Sequence, residues 1–135
     1  MKNLFRFTIL FAMLLSISAC GGGGDAADSE EAKVMEAYEA AWNAQDIDGV
    51  MALYTDDAVE KNGLGTFTGQ SQIRGMLDQA MKTFALECGN YEVNGNVVSY
   101  DCVLKSYGGS SDITETYDAV IENGKIKSNI LTGTK

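Results

Sequence analysis

Beyond Ala85 the sequence changes grammar, and that change limits the folds open to it. Four β-prone runs follow, at 86–93, 97–107, 113–122 and 125–132, separated by Asn94-Gly95-Asn96, Gly108-Gly109-Ser110-Ser111 and Asn123-Gly124. Asn-Gly between two such runs is the strongest short-range hairpin signal, because both residues tolerate the positive φ of a tight primed turn. Consecutive hairpins make an antiparallel meander of about four strands. One face of it has to be buried, and the chain ahead of Ala85 must supply the cover.

That segment reads as three helices. Ser29 places a capping hydroxyl before Glu30 and Glu31, whose charges favour a helix N-terminus. Val34, Tyr38, Ala41 and Trp42 then recur at helical spacing, which carries the helix to about Ala44. Asp46 caps a second, shorter helix bearing Ile47, Val50, Met51, Leu53 and Tyr54, which Thr55-Asp56-Asp57 ends. Residues 58–69 set Asn62-Gly63 and Gly65 among short β-prone pieces, a small hairpin or an irregular lid. Ser71 caps a third helix whose apolar positions are Ile73, Met76, Leu77, Ala80, Met81 and Phe84. On its first turn Arg74 is placed to pair with Asp56 or Asp57. The expectation is an α+β layer fold in a single domain, residues 29–135.

The start of the chain reads as an address. Lys2 and Arg6 precede an apolar run too short for a permanent membrane span, as in a secretory signal peptide. Ile17-Ser18-Ala19-Cys20 resembles the bacterial lipobox, with cleavage before Cys20 and lipidation of its thiol; the alternative is an ordinary signal peptide ending at Ala19. Residues 1–19 are then the signal peptide, and 20–28 the lipidated cysteine with a flexible Gly21–Gly24 tether. By resemblance to known sorting rules an Asp after the Cys would favour inner-membrane retention; with Gly21 there, the expectation is the outer membrane facing the periplasm if the source is Gram-negative. With Lys2 and Arg6 removed from the 10 basic residues, the balance against 19 acidic ones is −11, which excludes a nucleic-acid surface. The sequence has no His. Ser-His-Asp and Cys-His nucleophiles and His-ligated metals are therefore excluded, and neither metal nor cofactor is expected.

Cys88 and Cys102 fall on neighbouring strands. A three-residue loop at Asn94-Gly95-Asn96 would pair Val93 with Val97 and bring the two cysteines opposite each other, within disulfide range. Export to an oxidising compartment favours the bridge over two buried thiols.

The stretch Ala41-Trp-Asn-Ala-Gln-Asp-Ile-Asp-Gly-Val-Met-Ala-Leu-Tyr-Thr-Asp-Asp-Ala-Val59 resembles the NTF2-like superfamily, specifically SnoaL-like domains. So do Phe67-Thr-Gly-Gln-Ser-Gln-Ile-Arg-Gly75 and Glu122-Asn-Gly-Lys-Ile126. The resemblance implies a cone, three N-terminal helices packed on a curved antiparallel sheet of four to six strands, with a pocket inside. Ketosteroid-isomerase-like members carry a Tyr on the first helix, an Asp base in the hairpin and a protonated Asp on a late strand. Tyr38 falls at the Tyr position, where a core Tyr is an equal reading. Asn62 falls at the base position, and an amide cannot take up a proton near neutral pH. Glu60, on the same face if the segment is extended, could replace it. Asp118 falls near the acid position, although a slip of one residue would turn it outward, and a solvated strand position is the favoured reading. Catalytic candidates are thus Tyr38, Glu60 and Asp118; ligand contacts are Tyr38, Trp42 (otherwise core), Asn62 and Asp118. With Asn62 at the base position, the favoured expectation is an envelope protein binding a small apolar ligand. An isomerase, lyase or hydrolase is the alternative, and a partner protein dimerising through the open sheet the third reading.

Overall fold

The computed structural model describes residues 26–135, so the signal peptide, Cys20 and the glycine tether lie outside the described residues. After a 3₁₀ turn at Ala26–Asp28, helix α1 (Glu30–Asn43) starts at Ser29, whose hydroxyl accepts the Ala32 N–H at 3.0 Å. Asp46 caps α2 (Ile47–Ala52) by accepting the Gly49 N–H at 2.9 Å. The cap also explains the glycine, since a Cβ at position 49 would lie 2.4 Å from Asp46 Oδ2.

Helix α2 ends before Tyr54, earlier than its apolar spacing suggests. Tyr54 to Asp57 instead open a nine-residue strand, β1 (Tyr54–Asn62). A two-residue turn leads to β2 (Gly65–Thr68), so residues 58–69 form a hairpin and not an irregular lid. Helix α3 (Gly69–Thr83) begins ahead of Ser71, which is not its cap. Gly69, at φ +80°, turns the chain directly out of β2, and Gln72 Oε1 reaches back to the Thr68 N–H at 3.0 Å. A serine hydroxyl is not needed there. Arg74 pairs with Asp48 on α2, and Asp57 with Lys127, so the expected contact between Arg74 and Asp56 or Asp57 is not made.

Four long strands complete the chain: β3 (Phe84–Asn94), β4 (Val97–Ser106), β5 (Ile113–Glu122) and β6 (Lys125–Thr134). The sheet order is β2-β1-β6-β5-β4-β3. Every neighbouring pair is antiparallel except β1 and β6, a parallel contact that the meander pattern does not announce. The β5–β6 turn puts Asn123 at φ 51° and Gly124 at φ 73°, as a primed Asn-Gly turn requires. Register shifts interrupt the β1–β6, β3–β4 and β5–β6 ladders, and such bulges bend a sheet. Helix α1 packs over β3 and α3 over β1 and β2, both on the concave side.

Cys88 and Cys102 are disulfide-bonded, with Cα atoms 4.1 Å apart. The route to that pairing differs from the expected one. Asn94 pairs with Val97, so the turn has two residues and Val93 faces Val98. One extra residue on β3 between Gly89 and Glu92, where Asn90 adopts φ 55°, restores the register at the cysteines.

Candidate functional site

Between α1, α3 and the concave face lies a cavity of about 330 Å³. Met76, Leu77 and Ala80 of α3 form one wall, and Phe84, Leu86 and Leu104 of β3 and β4 another. Leu64, 79% exposed, and Ile113, 37% exposed, stand where the cavity opens to solvent. The C-terminus of α1 is fixed against β3 by three bonds. Trp42 Nε1 donates to the Phe84 carbonyl at 2.8 Å, and the Asn43 amide donates to the Leu86 carbonyl while accepting its N–H.

A chain of polar side chains crosses the sheet beneath this apolar space. Glu60, 3% exposed, accepts the Tyr54 hydroxyl at 2.8 Å on Oε2 and the Asn129 amide at 3.3 Å on Oε1. Asn129 Oδ1 in turn accepts the Tyr100 hydroxyl at 2.9 Å. Burial raises the Glu60 carboxyl to about 8, although the bonds from Tyr54 and Asn129 favour its charged form; the charge of Glu115 adds to the rise. At neutral pH the group is mostly a neutral acid, and it becomes a base within reach of physiological conditions. The phenols of Tyr38, Tyr54 and Tyr100 are all raised well above their ordinary value by burial first and the Glu60 charge second. Tyr54 and Tyr100 donate to Glu60 and Asn129, and none of the three phenols ionises near neutral pH.

The sequence matches the SnoaL-like domain family over residues 35–128, more than half of the chain. The chain belongs to the SnoaL-like family. Solved structures agree on the fold. A putative polyketide cyclase from Sinorhizobium meliloti is similar at TM-score 0.68 and 20% identity, covering 74% of this chain and 94% of the cyclase. An uncharacterised cystatin-fold protein from Novosphingobium aromaticivorans is similar at TM-score 0.66 and 23% identity, covering 76% and 97%. A hypothetical protein with a ketosteroid-isomerase-like fold from Catenulispora acidiphila, in complex with trimethylamine, is similar at TM-score 0.64 and 17% identity, covering 75% and 85%. No curated protein sequence matches significantly.

Within this SnoaL-like cone the candidates from the sequence separate. Tyr38, Trp42, Glu60 and Asn62 all line the cavity. Asn62 also turns the hairpin, its Oδ1 accepting the Leu64 N–H at 2.9 Å while Nδ2 lies 3.4 Å from Met76 Sδ. Asp118 is a correction. Its neighbours Tyr117 and Ala119 are buried on the concave side, so strand alternation turns Asp118 to the other face, where it accepts the Ser99 hydroxyl at 2.6 Å. It does not line the cavity. The sequence reading also missed Tyr54, Tyr100, Asn129 and the pair Glu115 and Tyr117, whose hydroxyl donates to Glu115. For Tyr100 a signal existed, since Val98, Tyr100 and Cys102 alternate as one buried face of β4. Among the described residues no group of three or more His, Cys, Asp or Glu side chains could hold a metal ion.

Proposed function

We propose that this domain binds a small, largely apolar ligand and that Glu60 takes a proton from it, as in an isomerase or lyase. The observation that carries this reading is a carboxyl raised to about 8 in the wall of an open, mostly apolar cavity. A perturbed acid in such a place is a functional-site candidate on physical grounds. Tyr54 and Asn129 steady the charged form that accepts the proton, and Tyr38 offers a hydroxyl from α1. Family membership and the likeness to a putative polyketide cyclase support a pocket of this kind. Asn62 favours a second reading, a binding module without turnover, because the resemblance places the base at that position.

Proton abstraction next to a carbonyl leaves a trace even when the natural ligand is not in hand. The test incubates the protein with cyclic enones and methylene ketones in deuterated buffer and follows deuterium uptake by mass spectrometry. Uptake that rises towards pH 8 and disappears in Glu60→Gln supports the base. Ketones that bind without exchange above the Glu60→Gln background would leave the binding module.

The apolar run, Cys20 and Gly21–Gly24 ahead of the domain support a lipid anchor in the cell envelope, which would face the periplasm if the source is Gram-negative. Cys20→Ser should abolish labelling with radioactive palmitate; persistent labelling would remove the anchor from the account.

A further inference from the structure

The ionisable groups facing the cavity share one sign. Glu60 comes from β1 and Glu115 from β5, and the phenols Tyr38, Tyr100 and Tyr117 come from α1, β4 and β5. From α3 the cavity is faced by Met76, Leu77 and Ala80, from β3 by Phe84 and Leu86, and from β6 by the neutral Asn129. No Lys or Arg stands among these lining residues. Arg74, Lys82, Lys105 and Lys127 are instead paired on the surface with Asp48, Asp78, Glu87 and Asp57. Ring faces are abundant as well. Tyr100 stacks on Tyr117 with centroids 5.7 Å apart and planes at 20°, and Tyr38 lies 5.8 Å from Trp42.

We propose that the cavity selects organic cations: an ammonium ligand with an apolar body, its charge countered by Glu60 and Glu115 and set against the tyrosine and tryptophan rings. The inference rests on the cavity being a ligand site and adds the charge class of what enters. An anion would meet two carboxyls and no basic partner, the kind of repulsion by which a binding site rejects a wrong charge. A cation meets both carboxyls and the negative faces of the rings, out of water. It also changes Glu60. A positive charge beside a buried carboxyl favours the ionised form, so binding drives off the Glu60 proton and leaves the charged base in the complex.

Three compounds of one shape and different charge test this: benzyltrimethylammonium, its neutral isostere neopentylbenzene, and phenylmethanesulfonate. Each is titrated into the purified full-length protein at pH 7 and pH 9, followed by NMR and calorimetry. The cation should bind at least about tenfold more tightly than the isostere at pH 9, as desolvated cation–ring and carboxylate contacts allow. Its affinity should fall about tenfold from pH 9 to pH 7, with close to one proton released on binding at pH 7, by linkage to a group titrating near 8. Glu60→Gln should remove the pH dependence. Glu115→Gln, at a position nearer solvent, should lower the cation's advantage and keeps the test open if Glu60→Gln does not fold. Equal or tighter binding of the isostere or the sulfonate overturns the charge preference and leaves the pocket standing. If none of the three binds, the ligand site itself is contradicted.

Discussion

Glu60 and Asn129 are direct partners across the one parallel strand pair of the sheet, and their side chains meet on its concave face, Nδ2 to Oε1 at 3.3 Å. Asn129 is itself 2% exposed and spends its carbonyl oxygen on the Tyr100 hydroxyl. It thus joins the Tyr100 hydroxyl to Oε1 of Glu60, two atoms that would otherwise be buried without partners, and the cost of an unpaired buried group is what makes the arrangement testable.

Asn129→Leu keeps the approximate volume but removes both bonds. The Tyr100 hydroxyl and one Glu60 oxygen lose their partners, which should cost about 1–3 kcal/mol of stability. Losing a donor to the carboxylate should also push the Glu60 carboxyl higher still. Urea denaturation and a pH titration of the variant check the two effects separately.

Why this pair escapes sequence reading is a matter of register. Ile126 and Asn129 are both buried although three residues apart, a spacing that alternation on a strand forbids. A bulge resolves it. Ile121 faces Ile126 while Val120 faces Ser128, so Lys127 is the extra residue and inverts the alternation beyond it. Nothing in Lys125-Ile-Lys-Ser-Asn129 marks that bulge. The same blindness applies to Tyr54, whose apolar spacing fits α2 as well as β1. The helices, the four late strands and the Asn-Gly turn were legible because each depends on contacts close in sequence; the cysteine pairing came out right only because the bulge between Gly89 and Glu92 offsets the shorter turn. The parallel β1–β6 contact was not, because it joins residues nearly seventy apart, as in the pair Glu60 and Asn129. Asp118 was misplaced for a related reason: a family position transferred along a strand is correct only if no residue slips.

Stability should carry the Glu60 titration. The folded chain holds this proton up to about 8, against 4.5 ordinarily. The resulting stabilisation is complete below about 4.5 and is lost as pH rises through about 8, with a limiting slope of roughly 1.4 kcal/mol per pH unit. Asp57, lowered by its bond from Lys127, and Asp101, lowered by Thr116, act in the opposite sense, at pH values below this window. Chemical denaturation of wild type and Glu60→Gln between pH 5 and pH 8, by roughly half-unit steps, should show a steeper fall in the wild type. Parallel curves would contradict the raised carboxyl.

The Cys88–Cys102 bridge closes a loop with a sequence separation of 14. The chain-entropy account gives roughly 3 kcal/mol for a loop of about this length. Reduction should lower the melting temperature by several degrees without unfolding the cone at room temperature. A reduced protein melting with the oxidised one would show that the bridge leaves stability untouched.

The proposed chemistry turns on one proton on one carboxyl. The direct measurement is a carbon NMR titration of protein labelled at the glutamate side-chain carboxyl carbons, with Glu60→Gln assigning the resonance. One glutamate signal should titrate with its midpoint near 8, as the burial of Glu60 requires, and should be missing from the variant. If every glutamate titrates in the ordinary carboxylate range, Glu60 is charged at neutral pH and the proton-transfer role falls.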